Sequence, residues 1–86
     1  MTDDQLAEVP LAAIAAVRKM VAEGLVRQIR EDAGLTQADI ARKVGVGRSA
    51  VSQWEKARRI PSGRHSIKYA MAMAECLAVA EGMGEE

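Results

Sequence analysis

The chain has 86 residues with 12 basic and 12 acidic side chains, so its formal net charge at neutral pH is zero. Its single cysteine excludes an intramolecular disulfide and a zinc site built from several cysteines, and its single histidine leaves no cluster for a metal or a catalytic triad. The length suits one small domain, and 49% hydrophobic content with one Trp, one Tyr and no Phe predicts an all-α core of alanine and aliphatic residues.

The first third of the chain predicts a polar start followed by helix. Residues 1–9 are acidic and unlike a signal peptide, and we expect them to be flexible. From Pro10, which suits the first turn of a helix, apolar side chains recur at steps of three and four. They are Leu11, Ile14, Val17, Val21, Leu25 and Ile29. Gly24 interrupts this run, so either one long helix bends there or two helices meet there.

The next segment predicts a short, well-delimited helix. Gly34 ends the preceding stretch, and Thr36 is placed as the N-cap of a helix over 37–44. Asp39 stands where a capping-box side chain reaches back to the N-cap, although Glu or Gln is preferred there. Gly45 stops the helix because glycine adopts positive φ at little cost.

A second short helix is predicted over 48–57, directly after a tight turn. Val51 and Trp54 are its buried pair, and two helices joined by such a glycine-containing turn form a helix-turn-helix. The outward side chains can all hydrogen-bond, and a helix exposing them fits the major groove of DNA. They are Arg48, Ser49, Ser52, Gln53 and Lys56.

The end of the chain predicts one long helix. Pro61 disfavours helix at the residue before it, so 58–63 is expected to be a loop. The helix runs from residue 64 or 66 to 81, and its apolar stripe is expected to face the core. The stripe consists of Ile67, Ala70, Met71, Ala74, Leu77 and Ala78. Glycines then predict a flexible tail at 82–86, which leaves a single helical domain over 10–81.

Basic residues are concentrated in one part of this neutral chain. Between Arg42 and Lys68 the only acidic residue is Glu55, which indicates one face for an anionic partner or, equally, a solvated polar surface. The basic residues there are Arg42, Lys43, Arg48, Lys56, Arg58, Arg59, Arg64 and Lys68.

The segment from Leu35 to Glu55, LTQADIARKVGVGRSAVSQWE, resembles the helix-turn-helix of the phage repressor and Cro family, which includes many bacterial XRE-type regulators. The resemblance covers residues 25–64. It implies a lambda-repressor-like bundle, here with four to five helices in all, counting an extra N-terminal helix and a long C-terminal helix. The match departs at Ala57, where glycine is usual as a helix stop, so the second motif helix is expected to end late.

The resemblance also implies roles for individual residues. Arg30 and Glu55 match a buried ion pair, and Gln37 matches a position that contacts phosphate and braces the recognition helix. The positions that match base-reading residues, or lie between them, are Arg48, Ser49, Ser52 and Gln53. Phosphate contacts are expected from Gln37 and from the basic residues Arg42, Lys43, Lys56, Arg58, Arg59 and Arg64.

These features predict a sequence-specific transcriptional regulator, a Cro-like or short repressor of phage or mobile-element type, whose partner is double-stranded operator DNA. The alternative is an antitoxin that neutralises a toxin through its terminal helices and autoregulates through the helix-turn-helix. A third interpretation keeps the fold for protein contacts only. No nucleophile with a neighbouring base, metal-ligand spacing or phosphate loop occurs, so we expect no enzyme, no cofactor and no small-molecule ligand. The longest apolar run is too short to cross a bilayer, so we expect a cytoplasmic protein.

Two copies are expected on two half-sites, because one helix-turn-helix buries too little surface for tight specific binding. The last helix carries apolar residues on more than one face. Met73, Leu77 and Val79 therefore form either a homodimer seam, assembled in solution or on DNA, or a groove for the N-terminal helix of the same chain.

Overall fold

The computed structural model describes residues 11–82, and within that range the secondary structure consists of five helices and no strand. They are α1 (Leu11–Ala22), α2 (Val26–Asp32), α3 (Gln37–Val44), α4 (Arg48–Glu55) and α5 (Gly63–Ala80). The all-α class and the predicted number of helices are confirmed. The segment 1–9 and all but the first residue of the tail 82–86, both expected to be flexible, lie outside the described residues.

Two helices meet at Gly24, which resolves the alternatives that the sequence left open. Gly24 has a φ of +74°, the left-handed conformation that favours glycine. The Leu25 N–H donates to the Met20 carbonyl at 2.9 Å, which satisfies a carbonyl at the end of α1. The chain therefore leaves α1 after Ala22 and starts α2 at Val26 as a separate helix.

One hydrophobic core receives side chains from all five helices. α5 packs against α1, α2 and α3, and its Tyr69 ring lies 4.7 Å from the Trp54 ring of α4, centroid to centroid. Each fully buried large side chain contributes about 1.5–3 kcal/mol, so this core holds the five helices in one unit. Its members are Val17, Val21, Val26, Ile40, Ala41, Val44, Val51, Trp54, Tyr69, Ala72, Met73 and Cys76.

α5 begins at Gly63, earlier than predicted, and beyond Ile67 it buries a different face from the one that its spacing predicted. Tyr69, Met73 and Cys76 point into the core, whereas Met71 is 53% exposed and Leu77 is 37% exposed. Of the predicted stripe, Ile67 is buried and Ala70 packs partly buried against the core, whereas Met71, Ala74 and Leu77 are exposed. The prediction failed beyond Ile67 because apolar residues occupy nearly every position from 69 to 80, so steps of three and four fit two faces equally well. The bulky Tyr69 and Met73 occupy the inner face.

Met73, Leu77 and Val79, which the sequence assigned either to a dimer seam or to a groove for the N-terminal helix, differ in their surroundings. Met73 is almost fully buried and lies with Val17 of α1 along a shared groove, so it packs within the chain. Leu77 lines the same groove but keeps part of its surface exposed, and Val79 is 44% exposed. Leu77 and Val79, together with Met71, therefore keep exposed apolar surface on the outer side of α5.

Candidate nucleic-acid interface

The start of α3 is defined by a reciprocal pair of hydrogen bonds, and the predicted capping box is confirmed. The Asp39 N–H donates to Thr36 Oγ1 at 3.0 Å, and the Thr36 N–H donates to the Asp39 carboxylate at 2.8 Å. The hydrogen bond from the Thr36 backbone holds the pKa of Asp39 below its usual value. Gly45, with a φ of +85°, ends α3 and starts the turn into α4.

α4 has one side fixed in the core and one side presented to solvent. Val51 and Trp54 are buried, whereas Arg48 and Ser49 are exposed and Ser52 and Gln53 are half-buried. At 3.6 residues per turn these four polar residues occupy one side of the helix. Their side chains make no hydrogen bond to another of the described residues. The donors and acceptors of this side are therefore available to a ligand.

The last residue of α4 is held by two other helices. Arg30 of α2 donates from Nε to Glu55 Oε2 at 2.5 Å and from Nη2 to Oε1 at 3.0 Å. Gln37 of α3 donates from Nε2 to the same Oε1 at 3.0 Å, and Arg30 Nη1 reaches the Leu35 carbonyl at 2.8 Å. The side chains of Arg30 and Glu55 are only 10% and 3% exposed. This network fixes the orientation of α4 on α2 and α3. Through its hydrogen bond to Glu55, Gln37 braces α4.

The ionisation of this pair follows from its surroundings. Burial by itself would raise the pKa of Glu55, but hydrogen bonds from Arg30 and Gln37 and the charge of Arg30 leave that pKa below its ordinary value. The hydrogen bond to Glu55 raises the pKa of Arg30. Both groups are therefore charged at neutral pH, and each neutralises the other.

α4 ends at Glu55, so the prediction of a helix reaching residue 57 was wrong. Ala57 has a φ of +57°, and the Arg58 N–H donates to the Gln53 carbonyl at 3.0 Å. This is the pattern in which a left-handed residue, usually glycine, stops a helix. Ala57 adopts this conformation despite its Cβ, and buried residues, Trp54 and Pro61, lie on either side of it in the chain.

The basic residues expected at phosphates fall into two groups. Arg42 lies 2.6 Å from Asp39, and Lys43 lies 3.1 Å from Glu75 of α5, so both already have an acidic partner. The others are exposed and make no salt bridge within residues 11–82. They are Lys56, Arg58, Arg59 and Arg64, and all follow α4 in the chain.

An open hollow lies between the starts of α3 and α4. It has a volume of about 420 Å³, and it is lined by Gln37 and Ala38 at the first turn of α3 and by Arg48 at the first turn of α4. The unpaired N–H groups of a helix start attract anions, and the guanidinium of Arg48 adds a full positive charge. The hollow brings two of the predicted DNA contacts, Gln37 and Arg48, to one place.

Sequence reasoning missed two features that support this surface. Tyr69 is fully buried against Trp54. The steps of four and then three residues from Tyr69 to Met73 and on to Cys76 were the signal that could have identified it. The ion pair between Lys43 and Glu75 joins residues far apart in the chain, and no local pattern indicates it.

A comparison with protein families identifies the arrangement. A helix-turn-helix family model matches residues 26–75, from the start of α2 into the second half of α5. No curated protein and no solved structure matches the chain. Within residues 11–82 no helix is long and apolar enough to cross a membrane, and no group of three His, Cys, Asp or Glu side chains could hold a metal ion. The matched residues include the whole network around Glu55 and the outward side of α4, and the chain belongs to the Cro/C1-type helix-turn-helix family of DNA-binding regulators.

Proposed function

We propose that the protein binds operator DNA sequence-specifically with α4 in the major groove and represses transcription by occupying a promoter. The observation that carries this proposal is the free polar side of α4, whose opposite side is fixed by Val51, Trp54 and the ion pair of Glu55. A preorganised helix loses little freedom on binding, so its hydrogen bonds are available to distinguish bases.

Base readout is assigned to Arg48, Ser49, Ser52 and Gln53. Arg48 suits guanine, because its planar fork donates to O6 and N7 together, and Gln53 suits adenine by the same bidentate geometry. The two serines are short, and their hydroxyls serve either a base edge or a nearby phosphate. The repressor is of the short, Cro-like type found in phages and mobile elements.

Phosphate contacts are assigned first to the exposed cations without an acidic partner, Lys56, Arg58, Arg59 and Arg64, and to Gln37 beside the hollow. Arg42 and Lys43 contact phosphates only after they break their salt bridges to Asp39 and Glu75. Because these contacts displace counterions from DNA, affinity falls as salt rises.

Selection of binding sites from a randomised duplex library tests the proposal, and two substitutions then separate the roles. Arg48→Ala should weaken binding to the selected sequence by about 1–3 kcal/mol, more than it weakens binding to random DNA, and it should relax the preference at one base position. Arg58→Ala should weaken both alike and reduce the slope of log affinity against log salt by about one.

Arg18→Ala is the matched control, because it removes the same charge from the exposed side of α1. It should change neither the affinity nor the salt slope. Recovery of no preferred sequence from the library, or equal losses for Arg48→Ala on both kinds of DNA, would contradict the proposed readout.

A further inference from the structure

Lys68, in the second turn of α5, differs from the other basic residues between 42 and 68. The seven others are exposed, whereas Lys68 is half-buried. Its side chain makes no hydrogen bond and no salt bridge to another residue within 11–82. An ammonium group that loses hydration without gaining a carboxylate needs another source of negative potential.

The ammonium group of Lys68 lies at the turn that follows α3. A Cβ placed on Gly45 would be 4.0 Å from Lys68 Nζ, and apart from the chain neighbours of the glycine no other atom of residues 11–82 comes as close. Gly45 is the residue whose positive φ ends α3. Lys68 therefore reaches from α5 to the first residue of the turn between α3 and α4.

The end of α3 supplies the negative potential. The N–H groups of Gly45 and Val46 both donate to the Ala41 carbonyl, at 2.8 and 3.0 Å. The carbonyls of residues 42–44 therefore receive no backbone hydrogen bond from the described part of the chain, and they carry the negative end of the helix dipole. The basic side chains in the last turn of α3 already pair with carboxylates, so Lys68 is the cation that remains for this end.

The turn beside Lys68 determines where α4 begins. The last residue of α4 is held by the buried network around Glu55, but the N-cap of α4 is Gly47, which has no side chain to cap the helix. Glycine at both ends of the turn leaves its backbone free to adopt many conformations. The direction of Arg48, the first residue of α4, therefore depends on what holds this turn in place.

We propose that Lys68 is a positioning residue for DNA recognition, whose ammonium group holds the turn 45–47 against the end of α3 and thereby directs Arg48 toward its base. Lys68 itself contacts no DNA. This role separates it from the exposed cations that follow α4, which are assigned to phosphates. The proposal rests on the proposed function only in that Arg48 reads a base.

Hydrogen exchange followed by NMR tests the placement of Lys68 on the full chain without DNA. Lys68→Met keeps a long side chain but removes the charge, and it should speed exchange of the Gly45 and Val46 amides by about 2- to 5-fold relative to the Asp39 amide at the start of α3. Lys68→Arg restores the charge and should restore the exchange rates. Equal acceleration at both ends of α3, or none, overturns the proposal.

The matched control is Lys19→Met, which removes the same charge from an exposed lysine in the last turn of α1. It should leave the exchange of both turn amides unchanged. A faster exchange in this variant as well would show that the net charge of the protein, and not the position of Lys68, governs the turn, which also contradicts the proposal.

Binding to the duplex selected from the randomised library tests the link to Arg48. Lys68→Met should lower affinity for that sequence by about 2- to 5-fold, with the salt slope and the affinity for random DNA unchanged. The loss should vanish in the Arg48→Ala background, because no base contact is then left to direct. A loss on both kinds of DNA with a salt slope reduced by about one would make Lys68 a phosphate contact and overturn the proposal.

A loss that stays the same with and without Arg48 also overturns it, because Lys68 then acts independently of that residue. Failure of the proposed function is distinguishable from these results. It appears as a wild type that selects no sequence, and the exchange measurement then still shows whether Lys68 holds the turn.

Discussion

Glu55→Gln is expected to lower the free energy of unfolding by about 3–5 kcal/mol. The substitution keeps the shape of the side chain but leaves the guanidinium of Arg30, 10% exposed, without a counter-charge. It also turns an amide N–H₂ group toward the donors of Arg30 and Gln37, which now surround a carboxylate. A chain of this length has a total stability of about 4–13 kcal/mol, so the loss is a large part of it.

Urea denaturation of the wild type and two variants measures this loss. Glu31→Gln is the matched control, because Glu31 pairs with Arg27 on the surface of α2, where the side chains are 44% and 68% exposed. Such an exposed pair contributes about 0.5 kcal/mol or less, so Glu31→Gln should be nearly neutral. Comparable small losses for both variants would show that burial of the Glu55 pair does not support α4, and the reasoning would fail.

The pH dependence of stability gives an independent check on the same residue. The pKa of Glu55 is lower in the folded protein than its ordinary value of 4.5, so its contribution is present above pH 4.5 and is lost as pH falls through the folded pKa. Glu55→Gln should therefore flatten the loss of stability on the acid side. Some dependence of stability on pH remains in both the wild type and Glu55→Gln, because the pKa of Asp39 is also lowered in the folded protein.

Three further substitutions test single contacts by thermal or urea denaturation. Ala57→Gly should stabilise the protein by about 0.5–1 kcal/mol, because glycine adopts the observed φ of +57° without the steric cost of a Cβ, and a loss would mean that this cost is absent. Tyr69→Phe should be neutral or stabilise the protein by about 1 kcal/mol, because the hydroxyl is buried without a hydrogen-bond partner among residues 11–82 while the ring packs at a tilt against Trp54. A clear destabilisation would reveal a partner for that hydroxyl. Thr36→Ala should lower the free energy of unfolding by about 1 kcal/mol, because it removes the hydroxyl that accepts from the Asp39 N–H. A change near zero would show that the start of α3 does not depend on this hydrogen bond.

The sequence predicted the helix-turn-helix well because short-range chemistry determines it. Thr36 and Asp39 cap each other three residues apart, Gly45 supplies a positive φ, and Val51 with Trp54 marks the inner side of α4. Each of these signals acts within one or two turns of helix. The bounds of α3 and the direction of the polar side of α4 follow from them.

The remaining features depend on residues that are distant in the chain. α5 offers two apolar stripes, and only its packing against α1, α2 and α3 selects the one with Tyr69 and Met73. α4 stops at Glu55 and Ala57 takes a left-handed conformation, although alanine itself favours continuing the helix. The acidic partner of Lys43 is Glu75 of α5, which lies 32 positions further along the chain. None of these choices appears in a local pattern.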